Sequence, residues 1–301
     1  YPMLAPLAHF SFVRGEMCGV DRTAREVLLA ELKGANGETV LPARRVPYDT
    51  LVLALGSRGN FFGTPGAREH AIALDTTEAA EAFRLAMLRA MARIDQAQQR
   101  GHDAQLDLVI VGGGATGVEL AAELSDAGQL VADYGLPNFN PAQDLSVTLV
   151  ESGPRLLGPL SERMASAARA ALEQRGVRVE TGCMVAEVTA DSVMTRDGRR
   201  LPADLCVWAA GISAPDVLRG LGLPVNRAGQ LEVDACLQTS DPGIYAFGDC
   251  AAAPLPGGGG IVPARAQAAH QQATYLARRL RARLDGHAPD NEPFVYRERG
   301  S

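Results

Sequence analysis

Gly112, Gly114 and Gly117 stand at G-x-G-x-x-G spacing. They follow the apolar run Leu108-Val109-Ile110-Val111 and precede the helical pattern Val118, Leu120, Ala121 and Leu124. A glycine loop between a strand and a helix is a device for holding a pyrophosphate. The first glycine permits the tight turn, the second lets the backbone approach the phosphates, and the third lets the helix pack on the strand. Gly113, Ala115 and Thr116 complete the loop, and the N–H groups of the first helical turn attract the anion. An acidic residue at the end of the next strand then accepts the adenosine ribose hydroxyls. Glu151 holds that place after Leu149-Val150. It lies farther from the loop than the usual ~20 residues; the Gly-, Pro- and Asn-containing stretch 126–144 reads as an insertion that accounts for the excess. A carboxylate there repels a 2′-phosphate and so favours NADH over NADPH, with nearby Arg155 weakening the preference.

Other residues suggest a second site. Tyr245-Ala246-Phe247-Gly248-Asp249 is a strand ending in Gly-Asp, and Leu53-Ala54-Leu55-Gly56-Ser57 is another strand ending at glycine. Gln267 and Gln271 are four apart on a helix opened by Pro263, so they share a face and offer amide donors. The positive N-terminus of that helix favours negative charge nearby. His270 falls on another face and reads as solvated. Arg278, Arg279, Arg281 and Arg283 complement the dipole at the helix end and suit an anionic lipid surface. Glu119, in the first turn of the glycine-loop helix, complements the dipole there.

These residues need a scaffold. Phe12-Val13, Glu26–Leu29 and Tyr48–Leu55 read as strands, Ala35-Asn36-Gly37 as a hairpin turn, and Pro65-Gly66 as a turn or linker. Residues 76–100 read as a helix capped by Asp75, with Phe83, Met87, Met91 and Ile94 as a core stripe. A strand at 108–111 leads through the loop into a helix ending near Leu124. A strand at 145–150, a helix at 161–175 and a strand at 177–180 follow. A small meander covers 185–201, and a buried strand runs from Asp204 to Ala209. The helix from Pro263 extends to about Leu284, and Phe294-Val295-Tyr296 begins a further strand. Strands alternating with helices predict parallel sheets in an α/β fold.

Composition excludes several classes. The chain has 301 residues, 47% of them apolar, which predicts about two domains with sizeable cores and argues against disorder. The net charge of −6 argues against non-specific nucleic-acid binding. Five widely spaced Cys exclude a disulfide-stapled module and contain no C-x-x-C or C-x-x-x-x-C pair. Cys250 therefore reads as a small buried residue. The five His show no metal-ligand spacing, so no metal site is expected.

In combination, the glycine loop, the 53–57 strand end and the Gly248-Asp249 turn resemble the flavoproteins with two dinucleotide-binding domains. Three segments narrow the resemblance to type II NADH dehydrogenases, the single-subunit NADH:quinone oxidoreductases. They are Gly114-Ala115-Thr116-Gly117-Val118-Glu119, Val207-Trp208-Ala209-Ala210-Gly211-Ile212 and Ala266-Gln267-x-x-x-Gln271. The Thr of the family's Ala-Thr-Gly strand end is Leu55 here. The resemblance implies two Rossmann-like domains, with an NADH domain (106–225) inserted in an FAD domain (1–105 and 226–288), and a C-terminal segment beginning at 289–301. It implies FAD contacts at Ala54, Gly56, Gly248, Asp249 and Ala266, with the Asp249 carboxylate on the ribityl chain. Ala210 and Gly211 would pass the nicotinamide, Glu119 would approach nicotinamide and flavin, and Gln267 and Gln271 would meet quinone. The implied reaction is hydride transfer from NADH to FAD, then two electrons to a membrane quinone. A peripheral homodimer on the cytoplasmic side of the bacterial inner membrane is also implied. The chain begins at Tyr1, ends directly after a strand-like segment, and has no G-x-G-x-x-G before residue 100. It therefore reads as a trimmed core. Two alternatives follow: a reductase of a small electron-carrier protein, and an NADH-binding fragment without catalysis.

Overall fold

A computed structural model describes residues 10–34, 36–287 and 292–298. The chain divides into two compact units, one of Gly59–Ile212 and one of Tyr1–Arg58 with Ser213–Ser301.

The Gly59–Ile212 unit is built on a five-stranded, all-parallel sheet. Its order is Arg178–Glu180, Leu145–Val150, Leu106–Val111, Leu205–Trp208, Ala71–Ile72. Val109 lies opposite Thr148 on one side and Cys206 on the other. Leu108, Val109 and Ile110 are almost fully buried, because a parallel strand covered on both faces needs apolar side chains on both. The helix Thr77–Gln99 lays Phe83, Met87 and Met91 into one core with Leu106, Leu108 and Ile110. Truncating such a side chain, as in Ile110→Ala, costs about 2–5 kcal/mol. The antiparallel meander consists of Val185–Val188, Ser192–Thr195 and Arg200–Pro202.

Two local expectations change in this unit. The Thr77–Gln99 helix is capped by Thr76, whose side chain accepts the Ala79 N–H at 3.1 Å. Asp75 instead accepts the Gly59 N–H. The glycine-loop helix runs from Ala115 to Gly135 and does not stop near Leu124. Between these points the strongest helix-disfavouring residue is Gly128, at about 1 kcal/mol, and the first proline is Pro137.

The unit boundaries also fall earlier than 105/106 and 225/226. Residues 59–105 go with the five-stranded parallel sheet because Ala71–Ile72 pairs with Leu205–Trp208 and the Met stripe covers that sheet.

The other unit contains an antiparallel sheet of Met17–Asp21, Glu26–Leu29 and Arg44–Pro47. Leu51–Leu53 and Ile244–Ala246 form a parallel pair, as do Leu231–Glu232 and Ala251–Ala252. Leu53, Leu218, Leu231, Ile244 and Cys250 form its centre. The helix Ala266–Leu284 buries Ala268, Gln272 and Leu276 at i, i+4 and i+8. It starts after extended Arg265 and not at Pro263. Asn36 and Gly37 turn the hairpin between Leu32–Lys33 and Thr39–Leu41; Ala35 lies outside the described residues.

Phe12-Val13 is exposed and forms no strand; the first strand begins at Met17. Phe294-Val295-Tyr296 forms none either. Pro293 lacks an N–H, and the segment is held mainly by side chains of the Ala266–Leu284 helix. Residues 289–291 and 299–301 lie outside the described residues. Among the described residues, no helix is long and apolar enough to cross a membrane.

Candidate functional site

In the Gly59–Ile212 unit the sheet order reverses around Leu106–Val111. Leu145–Val150 and Arg178–Glu180, which follow it in sequence, lie to one side of it, and Leu205–Trp208 and Ala71–Ile72 to the other. The carboxyl ends of strands at such a switch point form a ligand crevice. Here those ends carry Gly112, Glu151 and Ala209. Gly112 N–H donates to Val150 O, and Ala209 N–H to Val111 O, both at 2.7 Å. A cavity of about 1040 Å³ opens above them, lined by Gly112–Gly114, Glu151 and Ala209–Gly211 among others.

The three glycines do different work. Gly112 has φ 117°, and a side chain there would lie 2.4 Å from the Ala209 carbonyl oxygen. A Cβ on Gly117 would stand 1.9 Å from the Gly112 carbonyl oxygen, so this glycine lets helix and turn touch. Gly114 has nothing within 4 Å of its Cβ position. It lines the cavity as the N-cap of Ala115–Gly135 and makes no side-chain cap. The leading N–H groups of the helix, those of Ala115, Thr116 and Gly117, therefore have no intrahelical carbonyl and suit a phosphate. This open cradle fits the pyrophosphate of a dinucleotide.

Glu151 is tied to the loop. Its Oε2 accepts the Gly113 N–H at 2.7 Å, and its Oε1 accepts the Gly153 N–H at 2.5 Å and the Ser152 hydroxyl at 3.2 Å. A carboxylate offers about four acceptor positions, so capacity for a ribose hydroxyl remains. Arg155 lines the same cavity and donates to Gly158 O at 2.8 Å. Arg169, also lining it, is held by Glu173 at 2.7 Å and by Thr181. Glu119 stands exposed on the Ala115–Gly135 helix, outside the residues that line the cavity.

The loop Asn60-Phe61-Phe62, for which the sequence gives no site role, packs on Trp208 and Gly211 and does not itself line the cavity. Asn60 N–H donates to Gly211 O at 2.9 Å, Trp208 Nε1 donates to Asn60 O at 2.7 Å, and the Phe61 and Trp208 rings lie 5.7 Å apart. Phe62 is left-handed, with φ 51°, and 64% exposed beside Gly211. The available signal was three large or amide residues directly before the Gly63–Gly66 turn material.

In the other unit, the paired strands Leu51–Leu53 and Ile244–Ala246 bring two glycine turns together. The Ser57 hydroxyl donates to Asp249 Oδ2 at 2.9 Å. Gly56 and Gly248 both have positive φ. A side chain on Gly56 would meet nothing within 4 Å, so the backbone is open to a ligand beside the Asp249 carboxylate. That arrangement fits a hydroxyl-bearing chain such as the ribityl group of FAD. Ala54 and Ala266 are exposed, and Gln267 is half-buried in the first turn of the Ala266–Leu284 helix.

Gln272, missed in the sequence, is 2% exposed; its Oε1 accepts the Gly248 N–H at 2.8 Å. Its signal was an amide on the otherwise apolar stripe of Ala268 and Leu276. Gln230 Nε2 donates to Asp249 O at 2.9 Å, securing the same turn. The amide of Gln271 does not stand open: it donates to Arg297 O at 2.8 Å and accepts Arg297 N–H at 3.0 Å.

Cys250 is fully buried, and burial pushes its thiol pKa up. Cys206 is pushed up to about 12 by burial alone. Among the described residues, no group of three His, Cys, Asp or Glu is placed to hold a metal ion.

The family model for pyridine nucleotide-disulphide oxidoreductases matches residues 9–273. The chain is 38% identical to the type II NADH:quinone oxidoreductase of Haemophilus influenzae, over 97% of this chain and 68% of that protein. The ferredoxin reductase for the CYP199A2 system of Rhodopseudomonas palustris has a TM-score of 0.71 at 26% identity, covering 98% of this chain and 62% of that one. The structure of NDH2 from Plasmodium falciparum in complex with NADH has a TM-score of 0.67 at 21% identity, covering 81% of this chain and 51% of that one, and shares the fold. The parallel α/β architecture, the glycine loop at its switch point and these matches together make the chain a member of the pyridine nucleotide-disulphide oxidoreductase family, in its type II NADH:quinone oxidoreductase group.

Proposed function

We propose that the whole protein is an FAD-dependent NADH:quinone oxidoreductase. The observation that carries this is the cavity where Gly114, Glu151 and Gly211 converge at the switch point of the parallel sheet, in a chain 38% identical to a type II NADH:quinone oxidoreductase.

NADH binds with its pyrophosphate on the Gly112–Gly117 loop and the first helical N–H groups. Glu151 accepts a ribose hydroxyl and disfavours a 2′-phosphate by charge. The backbone of Ala210 and Gly211 flanks the nicotinamide end, and Glu119 lies on the helix leading away from the loop. In the other unit Asp249, with Ala54, Gly56, Gly248 and Ala266 around it, holds FAD. When bound, FAD supplies the hydride acceptor and the two-electron link between NADH and quinone. Gln267 presents an amide donor to a quinone carbonyl. The N-terminus of its helix stabilises negative charge that develops during transfer.

Exposed Arg278, Arg281 and Arg283 give the end of that helix a basic surface. It suits anionic lipid on the cytoplasmic face of a bacterial inner membrane. The whole protein works there as a peripheral homodimer.

The test uses the full-length protein. NADH consumption is followed with a short-chain quinone and, separately, with a ferredoxin-type carrier. Quinone turnover is expected, together with its loss in Gln267→Ala while NADH still bleaches the flavin absorbance. Turnover with the carrier alone would make the protein a carrier reductase. Unchanged quinone turnover in Gln267→Ala would remove Gln267 from the acceptor site.

A further inference from the structure

Gln267 and Gln271 share a helix face by spacing. The Gln271 amide forms a two-bond ring with the main chain of Arg297, donating to its carbonyl and accepting its N–H. A neighbouring strand would make the same pair of bonds; here one side chain provides both.

Further ties run along the helix. The Tyr275 hydroxyl donates to Glu292 O at 2.7 Å, and its ring packs edge-on against buried Phe294, with centroids 5.7 Å apart. Phe294 N–H donates to Ala235 O at 2.8 Å. Arg265 pairs with Glu298 at 2.7 Å. The segment 292–298 thus runs antiparallel to the helix, from Tyr275 back to Arg265. Its last two described residues are tied at Gln271 and Arg265, on either side of Gln267 in sequence. The Arg265–Glu298 pair is exposed and contributes little. Phe294 anchors the segment at the far end, and Gln271 fixes its backbone closest to Gln267.

We propose that Gln271 is a positioning residue: it fastens the 292–298 segment beside Gln267 and so shapes one wall of the quinone site, without itself bonding the quinone. This rests on the quinone-reductase reading above. The chemistry requires a group that both donates and accepts at a fixed separation. A glutamine amide meets that requirement, whereas an alanine or a carboxylate does not.

The test compares the full-length, FAD-loaded protein with Gln271→Ala and Gln271→Glu. The second keeps the side-chain size but sets a carboxylate against the Arg297 carbonyl. Amide hydrogen exchange is read at Arg297, with the Gly248 amide, held by Gln272, as the folding control. In Gln271→Ala, Arg297 is expected to exchange about fivefold faster, the effect of one lost hydrogen bond, while Gly248 keeps its protection; Gln271→Glu, which can still accept the N–H but repels the carbonyl, is expected to show a smaller rise. The KM for a short-chain quinone is expected to rise about three- to tenfold with little change in kcat, as when binding geometry is lost and chemistry is not. Unchanged protection at Arg297 would overturn the clamp. Lost protection with an unmoved KM would overturn its role at the acceptor site. If the parent protein turns over no quinone at all, the quinone-reductase reading falls and takes the acceptor-site role with it; the exchange result then still decides the clamp alone.

Discussion

The Glu151 carboxylate accepts the Gly113 N–H at 2.7 Å, so the acidic residue and the phosphate loop form one hydrogen-bonded unit. Dinucleotide selection and loop shape therefore depend on the same side chain. In Glu151→Gln, one amide oxygen can still accept an N–H, but the NH2 group must face another donor. Hydrogen bonds to charged groups contribute about 1.5–3 kcal/mol each, so a stability loss of about 2 kcal/mol is expected by denaturant unfolding. Removing the charge also removes repulsion of a 2′-phosphate, so the kcat/KM ratio should move toward NADPH. An unchanged ratio would place the carboxylate away from the ribose.

The glycines of the loop should separate folding from binding. A methyl group on Gly117 would stand 1.9 Å from the Gly112 carbonyl oxygen, whereas one on Gly114 would meet nothing within 4 Å. Gly117→Ala is expected to lose about 3 kcal/mol or more of stability, since backbone must move to admit it. Gly114→Ala should cost about 1 kcal/mol or less as an N-cap change, yet bind NADH at least about tenfold more weakly. Thermal melts and an NADH titration on both variants check this. Normal affinity in Gly114→Ala would show that the pyrophosphate does not approach that glycine.

The features legible in the sequence are those encoded over short stretches. The run before Gly112 announces a strand buried on both faces, and the glycines announce the turn after it. Phe83, Met87 and Met91 announce a helix that covers a sheet, which they do. What stayed hidden depends on distant partners. Asp75 and Thr76 are both able to cap a helix. Thr76 caps because Asp75 accepts the Gly59 N–H from a remote segment. Gln271 carries the right spacing for a ligand contact, but Arg297, 26 residues on, occupies its amide. The same holds for Gln272 and Gly248.

Gln272 makes the third prediction. Its buried amide holds the N–H of Gly248, the residue before Asp249, and only 2% of it is exposed. Gln272→Leu keeps the volume but leaves that N–H without its acceptor. Leaving a buried donor unmet costs about 1–3 kcal/mol. Because the loss falls on the turn that carries Asp249, the purified variant is expected to retain less FAD per chain than Gln272→Glu, whose carboxylate can still accept the N–H. Flavin absorbance relative to protein after gel filtration provides the measurement. Equal retention in the two variants would disconnect this bond from the FAD site.

Burial raises the Cys206 pKa from a reference of 9.0 to about 12. The folded protein therefore keeps this proton over a range where the unfolded chain has released it. Stability depends on pH through the difference in bound protons, and here the folded state binds more. The contribution is flat below pH 9. Above that, Cys206 costs stability as pH rises, at about 1.4 kcal/mol per unit until the folded thiol also ionises. Cys183 and Cys250 are shifted the same way, so the whole chain should lose stability above pH 9. Cys206→Ala isolates one share of that loss. Urea unfolding at pH 8 and pH 10 should show a smaller drop in the variant than in the parent, by about 1 kcal/mol. The variant will start lower at pH 8 because it loses buried sulfur, so the difference between the two pH values is the readout. Equal drops would mean that Cys206 ionises in the folded state near its ordinary pKa, and that strand Leu205–Trp208 admits water at its centre.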